Sequence, residues 1–394
     1  MLVRAGCLIL PGLLLSGCAS SRLDSARRDF YAGCYAAADT NLTVIPEGRD
    51  TVLHLMERGA IRQEMGRYEE STADWLKAVQ ICSDLRTRSA SQTTASFLAN
   101  DKTISYRGPP FERTLLHTSL AKNYLALGKW EDAGVEARNV IENLQQLDGF
   151  PDDAYSRYMA GFCLELLEDR SNAALQYRYA AGMATNRGVR IDPDTGAIGS
   201  STRPAAPPAR EPNACELVCF IDMGRSPPGN IMTAPFAVPT RSPHAEIQVG
   251  NRVLGRSYPL ANVADLLSRT LQRKAALQAA KDLSRLAIKE TIAHQIGKKN
   301  EGLGALAEII LMALEQPDDR RWETLPLWLH VARVPCPTDL KTFDVVFRQA
   351  GNQESRRLTV REPLVRHGNL YVSFCRDLPP PAAAPPVLRP GNQN

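Results

Sequence analysis

The sequence predicts an α+β multidomain chain: an N-terminal helical solenoid followed by a small β domain that carries an inserted helical hairpin. Three observations predict it. From Arg22 to about Met183, apolar residues recur every three and four positions against a background of Ala, Leu, Glu and Arg, which is the period of amphipathic helices. Within that stretch one residue pattern returns three times. Beyond Pro212 the helical period gives way to short runs rich in Val, Ile, Phe and Cys, separated by Gly, Pro and Asn, as strands and turns are. The 394 residues are 44% apolar and 23% charged; these values exclude a collagen, a coiled-coil rod and a wholly disordered chain. At ~150 residues per domain the length leaves room for two.

Residues 1–17 read as a secretory signal. Arg4 supplies the positive start, Leu8 to Leu15 the apolar stretch, and Ser16 and Gly17 the small residues before a cleavage site. The tetrad Leu15-Ser16-Gly17-Cys18 resembles the bacterial lipobox. That resemblance implies acylation of the Cys18 thiol, cleavage before it, and a membrane anchor made by several acyl chains, where one chain alone is marginal. Ala19 follows, and an Asp there would resemble an inner-membrane retention signal, so the expected location is the periplasm-facing outer membrane of a Gram-negative bacterium.

The helical domain is expected over 18–186. Gly59, Gly66, Tyr68, Ser71, Trp75, Ala78 and Val79 form the first set of its internal pattern. Ala121, Gly128, Trp130, Ala133, Ala137, Val140 and Ile141 form the second, and Gly161, Glu168, Arg170, Ala173, Tyr177, Ala180 and Ala181 the third. The sets resemble the tetratricopeptide repeat: a small residue where helix A meets helix B, a Gly turn, an aromatic, then a ladder of small and large residues along helix B. Ala137 stands where that pattern has a bulky aromatic, and Arg170 replaces the turn aromatic. The sets begin 62 and 40 residues apart (Tyr68 to Trp130, Trp130 to Arg170), against a period of about 34 for the repeat. An insertion near Ser83–Phe111 therefore interrupts the array. Such repeats imply a concave groove for a peptide or partner helix.

A Pro-rich linker is expected over 187–213, because Arg203 to Pro212 is biased to polyproline conformation. The β domain follows over 214–378. Its strands are expected at Cys215–Met223, Ala245–Val253, Leu327–Val334, Phe343–Phe347, Arg357–Val360 and Leu370–Cys375, with the helical insertion at about 261–316. Residues 379–394 are Pro- and Ala-rich and read as a disordered tail.

Enzyme signatures are missing from the sequence: it contains no His-Glu-x-x-His, no Walker loop and no Gly-x-Ser-x-Gly. No histidines fall at i, i+4 spacing, and the cysteines lack the close spacing of a zinc site. No catalytic residue, cofactor or metal is therefore expected. A net charge of +4 with 6% aromatic residues points away from nucleic acid. Disulfides are compatible with an oxidising envelope; the expected pairs are Cys34 with Cys82 and Cys336 with Cys375. Arg256–Lys299 holds nine basic and three acidic residues. This is either a solvated helical face or a surface for anionic lipid or envelope polymer.

Two further segments are Asn100-Asp101…Tyr106-Arg107-Gly108-Pro109-Pro110-Phe111-Glu112-Arg113 and Asp319-Arg320-Arg321-Trp322-Glu323-Thr324-Leu325-Pro326. With the lipobox, they resemble a family of bacterial repeat-containing outer-membrane lipoproteins with an Asn-Asp…Tyr-x-Gly…Glu-Arg segment and an Asp-Arg-x-Trp-x-x-Leu-Pro segment. The acidic position of the second falls on Asp318 or Asp319. Ser226-Pro227-Pro228-Gly229 departs from the family by lacking a Lys. The repeats lead to a non-enzymatic scaffold for a periplasmic protein as the expected function, and the resemblance adds a narrower reading as an accessory of peptidoglycan synthesis. An envelope-assembly or secretion accessory is the alternative, and a cell-wall or lipid hydrolase a third. The candidate partner-binding residues are Tyr106, Glu112, Arg113, Arg320 and Trp322. For Trp322 a core position competes with a role as a partner anchor.

Overall fold

The computed structural model of the protein describes residues 14–91, 105–201, 215–227, 242–278, 320–349 and 352–378, with the side chains of 14–20 and 86–91 outside that description. Cys18, the expected lipidation site, is thus placed only through its backbone, in the first helix. Asn100, Asp101, Asp318, Asp319 and most of the basic hairpin lie outside the described residues, as does the expected apolar helix at 303–314.

Among the described residues eight α-helices form the N-terminal half: α1 (Leu14–Tyr31), α2 (Tyr35–Asn41), α3 (Thr51–Glu64), α4 (Tyr68–Ser91), α5 (Pro110–Ala126), α6 (Trp130–Gln145), α7 (Ala154–Leu166) and α8 (Arg170–Ala184). The last six form three hairpins, α3/α4, α5/α6 and α7/α8, in the order the repeated pattern predicts. Their turns share one geometry. Gly66, Gly128 and Glu168 adopt positive φ of 72°, 68° and 61°. In each turn the following residue donates its N–H back to a helix carbonyl: Arg67 to Arg62 (2.9 Å), Lys129 to Tyr124 (2.8 Å) and Asp169 to Leu164 (3.0 Å). This left-handed cap satisfies carbonyls that a helix end leaves unpaired. Two of the three turns use Gly, which takes the conformation without a Cβ clash.

The small residues sit where helices A and B touch. A Cβ on Gly59 would lie 2.2 Å from Trp75 Nε1, and one on Gly161 3.0 Å from the Tyr177 ring. Trp75 fills the space that Gly59 leaves and donates its indole N–H to Met56 O at 3.0 Å, while Ser71 Oγ donates to Gly59 O at 2.7 Å. In the second hairpin Ala121, Ala133 and Ala137 are fully buried. The Ala at the usual aromatic position therefore brings the helices together without a large side chain.

The expected linker is partly folded. After a 3₁₀ turn (Thr185–Arg187), β1 (Val189–Ile191) and β2 (Ile198–Ser200) pair antiparallel. Val189, Ile191 and Ile198 join the core. The turn between them is built by Asp192, whose carboxylate accepts from Thr195 N and Oγ1 at 2.9 Å. Three-residue strands are too short to show an alternating pattern, so the sequence carries no strand signal here. Residues 202–214, with the Pro-rich run, lie outside the described residues.

The C-terminal half contains β3 (Cys215–Met223), β4 (His244–Val249), β5 (Arg252–Arg256), β6 (Tyr258–Asn262), β7 (Trp328–Cys336), β8 (Thr342–Arg348), β9 (Glu354–Arg361), β10 (Val365–His367) and β11 (Leu370–Arg376). A helix, α9, covers residues 263–278. β3 matches its expected bounds. The run at 245–253 is a hairpin, β4 and β5, turning at Gly250 with φ 57°. One sheet has the order β10-β11-β3-β7-β6 and the other β5-β4-β8-β9. Only the β11–β3 pairing is parallel within these ladders.

The layers are helices, five-stranded sheet, then four-stranded sheet. Val218, Phe220, Leu329, Val331 and Val372 share one core with the helices. The opposite face of the same strands, with Leu217, Cys219, Ile221 and Val334, packs on Ile247, Phe343, Val345 and Phe347 of the second sheet. Burial on both faces explains why β3 reads as a near-continuous apolar run. Phe220 reaches into α7, with ring centroids 5.4 Å from Phe162 and 6.0 Å from Tyr155. Lys122 of α5 pairs with Asp222 of β3 at 2.7 Å, and Arg333 of β7 with Glu165 of α7 at 2.8 Å.

This arrangement corrects the expected binding groove. The A helices α5 and α7, which would line a concave surface, contact the chain's own five-stranded sheet. Lys122 of α5 and Glu165 of α7 pair with strand residues Asp222 and Arg333. Among the described residues no helix is long and apolar enough to cross a membrane.

Candidate functional site

The two motif segments, more than two hundred positions apart, meet against α3, α4 and α5. Tyr106 enters from the insertion and is pinned by its N–H to Arg49 O at 2.7 Å. Gly108 follows with φ 71°, where a Cβ would lie 3.1 Å from Glu112 Oε2. Pro109 stands at the helix N-cap and Pro110 opens α5, a position where a missing N–H costs no helical bond. Arg113 donates to Gly108 O at 2.9 Å and so ties the turn to the helix.

Glu112 is the meeting point. Its Oε2 accepts from the Tyr106 hydroxyl, and its Oε1 accepts the backbone N–H of Trp322 at 3.2 Å. Burial pushes its carboxyl up to about 7, although both hydrogen bonds and the nearby Arg321 pull it down. A second buried carboxylate works alongside. Glu57 of α3 accepts the N–H groups of Glu323 (2.9 Å) and Thr324 (3.1 Å). Arg27 of α1 bonds Glu57 at 2.8 Å, Arg321 O at 2.7 Å and Glu323 at 3.1 Å. Residues 321–324 have no regular secondary structure, so their N–H groups need such partners.

Trp322 is buried, at 2% exposure, with its ring edge-on to Trp75 at 5.8 Å and its N–H on Thr324 Oγ1 at 2.8 Å. The partner-anchor reading of Trp322 is thereby corrected: the side chain joins the segment to the first repeat. Tyr106 and Glu112 are buried as well, at 3% and 1%. Arg320 lies over the Tyr106 ring at 5.5 Å and pairs with Asp50 at 2.7 Å. All five residues singled out from the sequence thus converge, three as a buried scaffold and two at the surface above it.

Above this scaffold opens a cleft of about 730 Å³ between the insertion, α5, α6 and α9. Among the described residues Arg107, Arg113, Lys274, Arg320 and Arg321 line it, against the two acidic residues Glu112 and Glu142. Thr270 of α9 also lines it; its hydroxyl is buried and makes no hydrogen bond. His117 on the rim is engaged with Glu136 at 2.6 Å. The cleft concentrates positive charge beside an apolar floor that includes Leu267, Leu271 and Phe150. Such a surface attracts an anionic group and desolvates it in part.

Sequence reasoning missed Arg27, Asp50, Glu57 and Thr270. The signal for Glu57 was present: a carboxylate within the apolar stripe Val52, Leu53, Leu55, Met56, Ala60 and Ile61, all buried. Lys274 was visible as one of the basic residues of the helical insertion, but not its position in this cleft. Among the described residues no cluster of His, Cys, Asp or Glu could hold a metal ion.

The seven described cysteines are free thiols, and the expected pairings are not those the fold brings together. Cys82 faces Arg107 O at 3.7 Å. The α2 side chain Asp39 reaches Arg67 just before α4, and Cys82 lies about four turns farther along that helix. Cys336 is opposite Cys215, whereas Cys375 is level with Ile221, toward the other end of β3. Six residues of strand separate those levels by ~20 Å, beyond the reach of a disulfide.

No protein-family model matches the chain, and no curated protein matches it. Among solved structures it is similar to MamA AMB-1, at 18% identity over 43% of this chain and 75% of that one, with a TM-score of 0.28. A MamA point mutant gives 17% identity over 43% of this chain and 80% of that one, with a TM-score of 0.27.

Proposed function

We propose that the protein is a non-enzymatic, lipid-anchored scaffold of the bacterial envelope whose basic cleft receives an acidic segment of a periplasmic protein. The observation that carries this reading is the cleft between the insertion and α9, where, among the described residues, five basic ones face two acidic ones. The repeat hairpins serve it indirectly. The A helices α5 and α7 face the chain's own sheet, and α5 carries Arg113 into the cleft.

The lipobox ending at Cys18 supports an anchor in the outer membrane, facing the periplasm. An accessory role in peptidoglycan synthesis is the narrower form and rests on the sequence resemblance. In the wider form the partner belongs to any envelope-assembly system.

Photocrosslinking in cells tests the reading. A photoreactive residue at Lys274 is expected to crosslink one dominant periplasmic protein, and Arg107→Glu is expected to reduce that product strongly. Equal crosslinking with and without Arg107→Glu would contradict the reading.

A further inference from the structure

β3 and β7 pair antiparallel over their full length, and the register sets Cys215 directly opposite Cys336. The geometry of that site follows from its neighbours. Glu216 donates its N–H to Asn369 O on the β11 side at 2.9 Å. Successive residues alternate in direction, so the N–H and C=O of Cys215 point toward β7. This also explains Pro335, which stands opposite Glu216 and whose missing N–H costs no ladder bond there. Cys215 and Cys336 therefore form a hydrogen-bonded antiparallel pair, with Cα atoms about 5.5 Å apart. Disulfides span Cα separations of about 4.4–6.8 Å.

The surroundings differ on the two sides. Cys215 is buried and Cys336 half-buried, so Cys336 is the thiol that a soluble reagent meets first. The Arg366 guanidinium lies 3.8 Å from Cys215 Sγ; burial pushes the Cys336 thiol up to about 12, and Arg366 offsets that rise only in part. The thiolate is the form that attacks disulfides, so exchange at Cys336 is expected to be slow at neutral pH and faster in alkaline solution.

We propose that Cys215 and Cys336 are a redox pair that closes to a cross-strand disulfide by exchange with a small-molecule or protein disulfide. The Cys336 thiolate attacks one sulfur of the oxidant; a Cys336–S bond forms and the oxidant's S–S bond breaks, releasing one thiolate. Cys215 then loses its proton to solvent and attacks Cys336 Sγ. The protein disulfide forms, and the second oxidant thiolate leaves and is protonated. Two protein thiols are oxidised and one external disulfide is reduced. The bond locks β3 to β7 and closes a loop that contains β4 to β6 and α9. A long closed loop restricts the unfolded chain and so stabilises the fold.

The test uses the full chain incubated with oxidised glutathione, alkylated, digested and read by mass spectrometry. The expected result is a linked peptide pair joining Cys215 to Cys336, with Cys163 and Cys219 still alkylated after unfolding. Unfolding of the oxidised protein is expected several degrees above that of the reduced protein, and Cys336→Ser is expected to remove that rise. Linkage of Cys336 to any other cysteine, or both thiols remaining alkylatable after oxidation, would overturn the proposal.

Discussion

The carboxylate of Glu112 accepts the backbone N–H of Trp322 at 3.2 Å, joining the start of the second repeat to the segment that leads into the last strands. The same carboxylate holds Tyr106. Its position explains why both motif segments are needed: each supplies a donor that the other's geometry places.

Because burial raises the Glu112 carboxyl to about 7 from 4.5, the folded protein binds this proton more tightly than the unfolded chain. Its contribution to stability is full below about pH 4.5 and is lost as pH rises through about 7. Each unit of separation is worth about 1.4 kcal/mol. Glu112→Gln keeps an acceptor for the Trp322 N–H and should flatten the stability profile across that window. Urea midpoints measured across it for both proteins check this, and an unchanged slope in the variant would exclude Glu112 as the titrating group.

Trp322→Ala removes a buried side chain packed edge-on to Trp75 and should cost ~3–5 kcal/mol. Partner capture should then fall only in proportion to the unfolded fraction. A variant that melts like the parent would show that the segment is not seated as described.

Gly59→Ala places a Cβ against the Trp75 indole, where overpacking costs about 1–3 kcal/mol. Gly161→Leu should act in the same direction through Tyr177 and Ala173 O. The third turn behaves oppositely. Glu168 holds φ 61°, a conformation costing a non-Gly residue roughly 1–2 kcal/mol. Glu168→Gly should therefore raise the midpoint, partly offset by about 0.5–1 kcal/mol of added backbone entropy. Chemical denaturation of the three variants checks the shared register of the repeats.

Most of the architecture was legible because it rests on local patterns. The Gly66, Gly128 and Glu168 turns and the Gly59–Trp75 and Gly161–Tyr177 contacts were visible as offsets. β3 and β7 were visible as apolar runs. What was not legible depends on distant pairings. Nothing near Phe220 tells that it fills the face of α7, so the groove was expected open. The pairing of Cys336 with Cys215 follows from a ladder register, which sequence spacing does not fix. Trp322 between charged residues looked amphipathic, but its ring is buried against Trp75, while Glu323 beside it binds Arg27.

Lys122 and Asp222 form a buried pair across the helix–sheet junction at 2.7 Å. Lys122→Met leaves the Asp222 carboxylate without it and should cost about 3–5 kcal/mol. Adding Asp222→Leu should recover most of that loss, since the paired charges were balanced against their desolvation. A double variant no more stable than Lys122→Met would show that Asp222 carries a further stabilising contact.

The basic cleft is tested most directly by calorimetric titration of the full chain with a glutamate-rich peptide at low and high salt. Binding is expected at low salt, to weaken as salt screens the charges, and to fall at least tenfold in an Arg107→Glu, Lys274→Glu double variant whose melting curve matches the parent. Peptide affinity unchanged by the double variant would contradict the assignment of the cleft as the partner-binding site.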